Sequence, residues 1–198
     1  MVALSEKQIK YEQREILPKI LLKLTNQVVP SDFDKASPLG KIPALQVDNF
    51  YISDSSVITA YLDRLFATGT LLYPDNPQEY ARSLWFERYA DTELSNVTYK
   101  KIFIESVIKP VLLGQKGNRE IIEQATLNEL PTMLDYINQS VSKSDWLAGD
   151  HFSMADVAIV VQLLALKTSG FEIDENRWFE LKNYFNKVVS RPSFQSFI

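Results

Sequence analysis

The stretch from residue 36 to residue 65 constrains the fold of this chain more than any other part of it. Its segment Ser37-Pro38-Leu39-Gly40 is typical of a turn, because proline fixes φ and glycine accepts positive φ. A short strand that is entered through a proline is predicted at 41–47. Asp48-Asn49 then predicts a hairpin turn, with a return strand at 50–52.

A helix follows the hairpin and is predicted at 54–66. Ser53 or Asp54 is the expected N-cap, since either side chain can accept a hydrogen bond from the first helical turn. Five apolar residues fall on one face of this helix at a spacing of 3.6: Val57, Ile58, Tyr61, Leu62 and Leu65. The predicted order is therefore turn, strand, turn, strand, helix.

Two backbone features of this stretch predict a binding site for a short peptide. A proline at the start of a strand leaves Ile42 with free N–H and C=O groups, especially if the Ile42–Pro43 bond is cis, and these can pair with an extended peptide. At the helix start, the free N–H groups of Ser55 and Ser56 and the Ser55 hydroxyl suit a carboxylate, while the Asp54 carboxylate suits an ammonium. The same residues also fit a plain turn proline and a plain helix cap, which are commoner features.

Two segments, PLGKIPAL and SDSSVITAYL, resemble the glutathione-site segment of the cytosolic glutathione S-transferase family. In that family the loop before a cis-proline pairs with the cysteinyl backbone of glutathione, and an acidic-Ser pair at the next helix start binds its γ-glutamyl end. The resemblance therefore implies glutathione as a co-substrate. It implies Ile42, Asp54 and Ser55 as the residues that bind it, with Lys41 near the glycyl carboxylate.

The resemblance supplies no catalytic residue in this chain. Family members normally begin with a strand and part of a helix, and the turn between them carries the Ser, Tyr or Cys that activates the thiol. Here the match starts after that turn, and Ser5 lies too late to take the role. The absent strand would lie inside the sheet, beside the strand that starts at Ala44. Either the natural protein has residues that this chain lacks, or the protein has lost the catalytic segment and has been repurposed.

The chain is predicted to form two domains of an α+β fold. Residues 1–68 resemble the thioredoxin-like domain of the family, incomplete at its start, and 77–198 is predicted to be an all-helical bundle. The intervening residues 69–76 form a linker rich in turn residues. Near the start of the chain, an alternating pattern predicts a strand at 9–16, and a short helix is expected within 17–29.

The helical domain begins with one long helix or a kinked pair at 78–108, ended by Lys109-Pro110. Its buried face is predicted to contain five residues: Leu84, Trp85, Tyr89, Leu94 and Val97. A second helix is expected at 119–141, kinked at Pro131. Ser153 and Asp156 then predict a capping box before a buried central helix. This segment, WLAGDHFSMADVAI, also resembles the family, and IFIESVIKPVLLG with the closing RPSF resembles a bacterial branch of it.

Composition excludes several kinds of site. The chain has no cysteine, so it holds no disulfide and no thiolate metal site, and we expect no metal. Its formal charge of −4 argues against non-specific nucleic-acid binding. We find no apolar run long enough to span a bilayer and no signal peptide at Met1, so a cytoplasmic protein that binds no membrane is expected. His151, the one histidine, is expected to have a surface or capping role rather than a catalytic one.

Two functions remain open. The first is a detoxifying transferase that joins the thiol of glutathione to a small hydrophobic electrophile. Four aromatic residues are candidates for the electrophile pocket, although core packing is their default interpretation: Trp85, Tyr89, Tyr99 and Phe103. The second is a non-catalytic binding or regulatory protein with the same fold. The family's pairing through the helices matching 54–66 and 78–108 implies a homodimer in both cases.

Overall fold

The computed structural model describes residues 1–195, and the chain divides into two compact units. The first unit is Ala3–Leu72 and the second begins at Tyr73, so the boundary falls inside the predicted linker. The last three residues of the predicted helical domain lie outside the described residues. Within 1–195, no helix combines the length and the apolar character that crossing a membrane requires.

The first unit combines short helices with a two-stranded sheet, as expected for the thioredoxin-like part of an α+β fold. Its elements are α1 (Val2–Glu6), α2 (Lys19–Leu24), α3 (Ser31–Ala36), β1 (Ala44–Val47), β2 (Phe50–Ser53) and α4 (Ser55–Leu65). β1 and β2 form an antiparallel hairpin in which Ala44 faces Ser53 and Val47 faces Phe50. The hairpin and α4 lie where the sequence predicts them, whereas α3 was not predicted.

The strand predicted at 9–16 is wrong, because residues 9–18 have no regular structure. Within 9–16, the backbone makes one hydrogen bond to the described residues 1–195, in which the Ile9 N–H donates to the Leu4 carbonyl. A strand exists only when a neighbour satisfies its backbone groups, so an alternating pattern alone does not make one.

α4 holds the core of the first unit, but only part of its apolar stripe is buried. Ile58 and Leu62 form a cluster with Leu4, and partly buried residues pack around it: Ile9, Leu45, Ile52, Tyr61 and Phe66. Val57 and Leu65 are instead each 48% exposed. The stripe therefore has a buried half and a half that faces solvent.

A buried ion pair joins α1 to α4 within the first unit. Lys7 Nζ lies 2.8 Å from Asp63 Oδ1, and the two side chains are only 1% and 6% exposed. The Leu72 N–H donates to Asp63 Oδ2, and Lys7 also donates to the Thr70 carbonyl. The pair thus ties the segment after α4 to the body of the unit.

The regular structure of the second unit, in its described part, is all helical. Its α-helices are α5 (Pro77–Tyr89), α6 (Ser95–Val97), α7 (Arg119–Gln124), α8 (Leu130–Val141), α9 (Met154–Thr168), α10 (Phe179–Val189) and α11 (Pro192–Gln195). π-helical segments join several of them: Ala90–Leu94, Thr98–Leu112 and Ala125–Glu129. The first long helix is therefore continuous from Pro77 to Leu112.

The long helix differs from the prediction at its end and on its buried face. Pro110 lies inside the helix rather than ending it. In a π-helical turn each N–H bonds to the carbonyl five residues earlier instead of four, and this relieves the clash between a proline ring and the carbonyl four residues before it. Leu84 and Trp85 are 40% and 56% exposed, so their assignment to the buried face is wrong. Leu94 and Val97 are buried as predicted.

The real buried stripe of α5 includes two polar residues, Ser83 and Glu87, beside Phe86. Glu87 is tolerated there because the Tyr73 hydroxyl donates a bifurcated hydrogen bond to its two carboxylate oxygens, at 2.8 and 2.9 Å. A helical stripe that contains a glutamate does not look apolar in the sequence, which explains the wrong choice of face.

Glu105 fixes the loop that follows the long helix. Its carboxylate accepts hydrogen bonds from Lys109 Nζ and from the Asn118 N–H, each at 2.7 Å. The bond from Lys109, helped by the one from Asn118, lowers the pKa of Glu105 below its usual value of 4.5.

The lowered pKa of Glu105 predicts a pH-dependent stability. A carboxyl whose pKa is lower in the folded state stabilises the protein above its unfolded-state pKa, and this contribution is lost as the pH falls through the folded-state pKa. We expect Glu105→Gln to lower the free energy of unfolding at pH 7. The difference from the parent should shrink towards zero as the pH falls below 4.5. Urea unfolding at several pH values measures it, and a pH-independent difference would contradict the ion-pair explanation.

The capping box before α9 is present as predicted. Ser153 is the N-cap, and the Asp156 carboxylate accepts a hydrogen bond from the Ser153 N–H at 2.8 Å. The same carboxylate accepts from the Leu147 N–H at 3.0 Å and from the Tyr184 hydroxyl at 2.7 Å. Burial raises the pKa of Asp156, and these donors, which favour the charged form, oppose that rise.

Candidate functional site

The predicted peptide site lies where the hairpin ends and α4 begins, entirely within the first unit. Ala44 faces Ser53 in the hairpin, and beyond this pair the Asp54 N–H donates to the Pro43 carbonyl at 3.3 Å. Ile42 precedes Pro43 and Ser55 follows Asp54 in the chain, so each is a chain neighbour of this one hydrogen bond. The structure thus joins the proline segment to the start of α4, and the ligand-binding roles of Lys41, Ile42, Asp54 and Ser55 stay a prediction.

Ile42 offers an unpaired backbone to a ligand. Neither its N–H nor its C=O has a hydrogen-bond partner among residues 1–195, and the residue is 47% exposed. The Ile42–Pro43 bond is cis. Two backbone groups of one partly exposed residue that both lack a partner can pair with an extended peptide as an added strand does.

Asp54 is the N-cap of α4, but it uses some of the N–H groups that the sequence left free for a ligand. Its Oδ1 accepts from the N–H groups of Ser56 and Val57, at 3.1 and 3.3 Å. The expectation that the Ser56 N–H is unpaired is therefore wrong, because the aspartate side chain folds back onto the first turn. The Asp54 Oδ2 atom has no partner within 1–195, so it can still accept from an ammonium.

Asp54 also has an unusual backbone, with φ of 86° and ψ of 127°. Residues other than glycine rarely adopt positive φ, and the conformation costs on the order of 1–3 kcal/mol. The strain is held in place on both sides, by the bond from the Asp54 N–H to Pro43 and by the start of α4. Such strained residues cluster at ligand sites.

Ser55 and Lys41 complete the polar set. Both residues are exposed, and no partner is recorded in the described chain for the Ser55 N–H, the Ser55 hydroxyl or the Lys41 ammonium. The N–H and hydroxyl of Ser55 can donate to a carboxylate at the positive end of α4. With Asp54 beside them, the site has groups for both an ammonium and a carboxylate.

The four aromatic candidates form two separate ring pairs in the second unit. Trp85 stacks on Tyr89 with ring centroids 6.5 Å apart, and Tyr99 stacks on Phe103 at 5.6 Å. No ring contact between the two pairs is recorded in the part of the chain that the structure describes. The structure therefore does not gather all four into one cluster.

Tyr136 joins the first aromatic pair and was missed in the sequence. Trp85 Nε1 donates to the Tyr136 hydroxyl at 2.7 Å, and the Tyr89 and Tyr136 rings meet edge to face at 5.3 Å. Burial, together with the nearby Tyr136 and Glu93, raises the pKa of Tyr89 to about 12. Tyr89 is thus a neutral phenol at physiological pH. No sequence spacing links Tyr136 to α5, so only the fold reveals it.

The chain is similar to known proteins over most of its length. Residues 1–65 match the family description "Glutathione S-transferase, N-terminal domain", and residues 101–192 match "Glutathione S-transferase, C-terminal domain". The chain is 29% identical over 198 residues to glutathione S-transferase F13 of Arabidopsis thaliana, covering 98% of this chain and 86% of that protein. It is 24% identical over 179 residues to a probable glutathione S-transferase, GSTF2, of Oryza sativa subsp. japonica, covering 85% of this chain and 82% of that protein.

A solved structure shares the fold. Glutathione S-transferase I, bound with the ligand lactoylglutathione, superposes with a TM-score of 0.83 at 23% identity. The match covers 98% of this chain and 89% of that one.

Proposed function

Because this chain belongs to the cytosolic glutathione S-transferase family, we propose that it binds glutathione and joins the glutathione thiol to small electrophiles. The observation that carries the proposal is the position of the unpaired Ile42 backbone beside Asp54 and Ser55. One extended tripeptide with an amino-acid end matches that set of donors and acceptors. The glutathione conjugate named with the structurally similar transferase supports the same ligand class.

Each part of glutathione has a proposed partner. The Ile42 N–H and C=O pair with the cysteinyl backbone, as a short added strand. Asp54 accepts from the γ-glutamyl ammonium, and the Ser55 N–H and hydroxyl donate to the γ-glutamyl carboxylate. Lys41 attracts the glycyl carboxylate through its charge.

The chemistry requires a thiolate. The cysteinyl S–H gives up its proton to water, and the thiolate sulfur attacks an electron-poor carbon to form a C–S bond. Either a leaving group departs with its bonding electron pair, or an activated double bond is saturated and its second carbon takes a proton from water. The site would raise the rate by holding thiol and electrophile together. The four aromatic residues Trp85, Tyr89, Tyr99 and Phe103 stay candidates for electrophile contacts, because flat aromatic rings suit small hydrophobic compounds, although they form two separate ring pairs. We also propose a detoxification role in the cytoplasm.

The charge of Asp54 is tested by Asp54→Asn. Asparagine also caps helices and tolerates positive φ, so this change removes the charge while it keeps the fold of the helix start. Charge-assisted hydrogen bonds contribute about 1.5–3 kcal/mol. We therefore expect glutathione binding to weaken roughly 10- to 100-fold in calorimetric titration.

Asp48→Asn is the matched control for the Asp54 experiment. Asp48 also has positive φ, at 51°, but it lies in the hairpin turn away from the predicted ligand. Its variant should bind as the parent does. If a folded parent chain does not bind glutathione, the transferase proposal is wrong and the non-catalytic protein of the same fold becomes the better explanation.

We also propose a homodimer, as the family implies. The exposed half of the α4 stripe supports it, since Val57, Leu65 and the neighbouring Phe50 are each 48% exposed. Val57→Glu would place a charge in this apolar surface and should shift the protein from dimer to monomer in sedimentation velocity. Val28, which is 88% exposed, offers the control variant Val28→Glu, which should leave the dimer intact. A monomeric parent would contradict the proposal.

A further inference from the structure

Hydrogen bonds hold the backbone on both sides of Ile42 while leaving Ile42 itself free. Before it, the Gly40 carbonyl accepts from the Lys19 N–H at 2.8 Å, and the Lys41 carbonyl accepts from Ser37 Oγ at 2.7 Å. After it, the Pro43 carbonyl accepts from the Asp54 N–H at 3.3 Å. The carbonyls nearest to Ile42 therefore all have partners, although Ile42 has none among residues 1–195.

Ser37 differs from the other partners because it acts through its side chain. The residue is completely buried, and its own N–H donates to the Phe33 carbonyl at 2.8 Å, which anchors it to the end of α3. Its carbonyl accepts from the Gly40 N–H at 2.8 Å, closing a tight turn. From this fixed position the hydroxyl reaches the Lys41 carbonyl in a partly buried hydrogen bond.

The bond to the Lys41 carbonyl also sets the direction of the Ile42 N–H. These two groups belong to one peptide unit, which is planar and trans, so they point in opposite directions. The unit could rotate about its neighbouring bonds, since Lys41 and Ile42 have exposed side chains. Of the hydrogen bonds described for residues 1–195, only that from Ser37 Oγ acts on this unit.

We propose that Ser37 is a positioning residue for the ligand. Its hydroxyl holds the Lys41–Ile42 peptide so that the Ile42 N–H points at the cysteinyl carbonyl of glutathione. Without the Ser37 hydroxyl, the Ile42 N–H adopts several directions in the free protein. Glutathione binding must then fix one of them, and the lost conformational entropy weakens binding. The inference rests on the proposed function, because it names what the oriented N–H serves.

Two variants and a control test the role of Ser37. Ser37→Ala removes the donor, and Ser37→Cys keeps nearly the same volume while it supplies only a weak donor, which protects the experiment against a folding defect. Thr25→Val is the control, since it removes another hydroxyl-to-carbonyl bond of the first unit, from Thr25 Oγ1 to Leu21. We expect glutathione to bind about five- to tenfold more weakly to both Ser37 variants and normally to the control.

A pair of ligands separates positioning from a general structural role. γ-Glutamylcysteine amide contains the cysteinyl carbonyl, whereas γ-glutamylcysteamine lacks it and is otherwise similar. The Ser37 variants should weaken binding of the amide and leave binding of the cysteamine compound unchanged, because only the amide offers an acceptor to the Ile42 N–H.

The outcomes are distinct for the two proposals. Equal weakening of both ligands, or unchanged binding of the amide, would overturn the role of Ser37 while the glutathione site stands. A parent chain that binds neither glutathione nor the amide would overturn the positioning role together with the proposed function.

Discussion

Replacing Asp156 by alanine should lower the free energy of unfolding of the second unit by about 3–5 kcal/mol. The carboxylate is fully buried and accepts from the N–H groups of Leu147 and Ser153 and from the Tyr184 hydroxyl. Alanine leaves these donors buried without an acceptor, and each unsatisfied donor costs about 1–3 kcal/mol. It also removes the capping box of α9, the central helix of the unit.

Tryptophan fluorescence during urea unfolding measures this loss. All three tryptophans of the chain follow Tyr73, so the signal reports the second unit. Tyr184→Phe is the milder variant for comparison. It removes the hydroxyl that donates to Asp156, so Asp156 loses one hydrogen bond but no buried donor is left without an acceptor. It should cost only about 1 kcal/mol. A loss for Asp156→Ala no larger than that for Tyr184→Phe would contradict the buried network.

The second large effect is expected in the first unit, at the Lys7–Asp63 pair. Asp63→Ala leaves the Lys7 ammonium, which is only 1% exposed, without its counter-charge. Removing one member of a buried ion pair typically costs about 3–5 kcal/mol. It also removes the acceptor for the Leu72 N–H at the end of the unit. We therefore expect the first unit to unfold at markedly lower urea concentration.

The double variant Lys7→Met, Asp63→Asn separates the charge from the packing. Methionine fills the space of the lysine stem without a charge, and asparagine still offers an acceptor to Leu72, so most of the stability should return. Because the first unit has no tryptophan, its transition is followed by tyrosine fluorescence and far-UV circular dichroism. If Asp63→Ala and the double variant unfold at the same urea concentration, the unpaired Lys7 charge is not the cause of the lost stability.

Local sequence signals proved sufficient for much of the fold. The cap of α4, predicted at Ser53 or Asp54, and the Ser153–Asp156 capping box depend on residues two or three positions apart, so the sequence alone indicated them. The strand at 9–16 failed because a strand depends on a neighbour, which a local pattern does not contain. The buried face of α5 failed because Glu87 is made compatible with burial by Tyr73, from outside the helix.

The candidate site shows the same division. The unpaired backbone of Ile42 follows from the proline after it, and the sequence predicted that feature. The hydrogen bond from the Ser56 N–H to the Asp54 carboxylate depends on the Asp54 side-chain rotamer, and residue spacing in the sequence does not predict a rotamer. The bond from Ser37 to Lys41 depends on how tightly the turn at Gly40 closes, and it became visible only with the fold.

The two-strand sheet has a practical consequence for every binding experiment. β1 pairs with β2 on one side only, so its other edge presents backbone groups without a partner in the described part of the chain. Open edges of this kind recruit strands from other molecules, and proteins blunt them with charges and prolines. Lys41 and Pro43 stand at one end of this edge, but the strand Ala44–Val47 itself carries no charge. Self-association through the free edge of β1 would compete with glutathione for the neighbouring Ile42 backbone. The apparent affinity for glutathione should therefore weaken as the protein concentration rises.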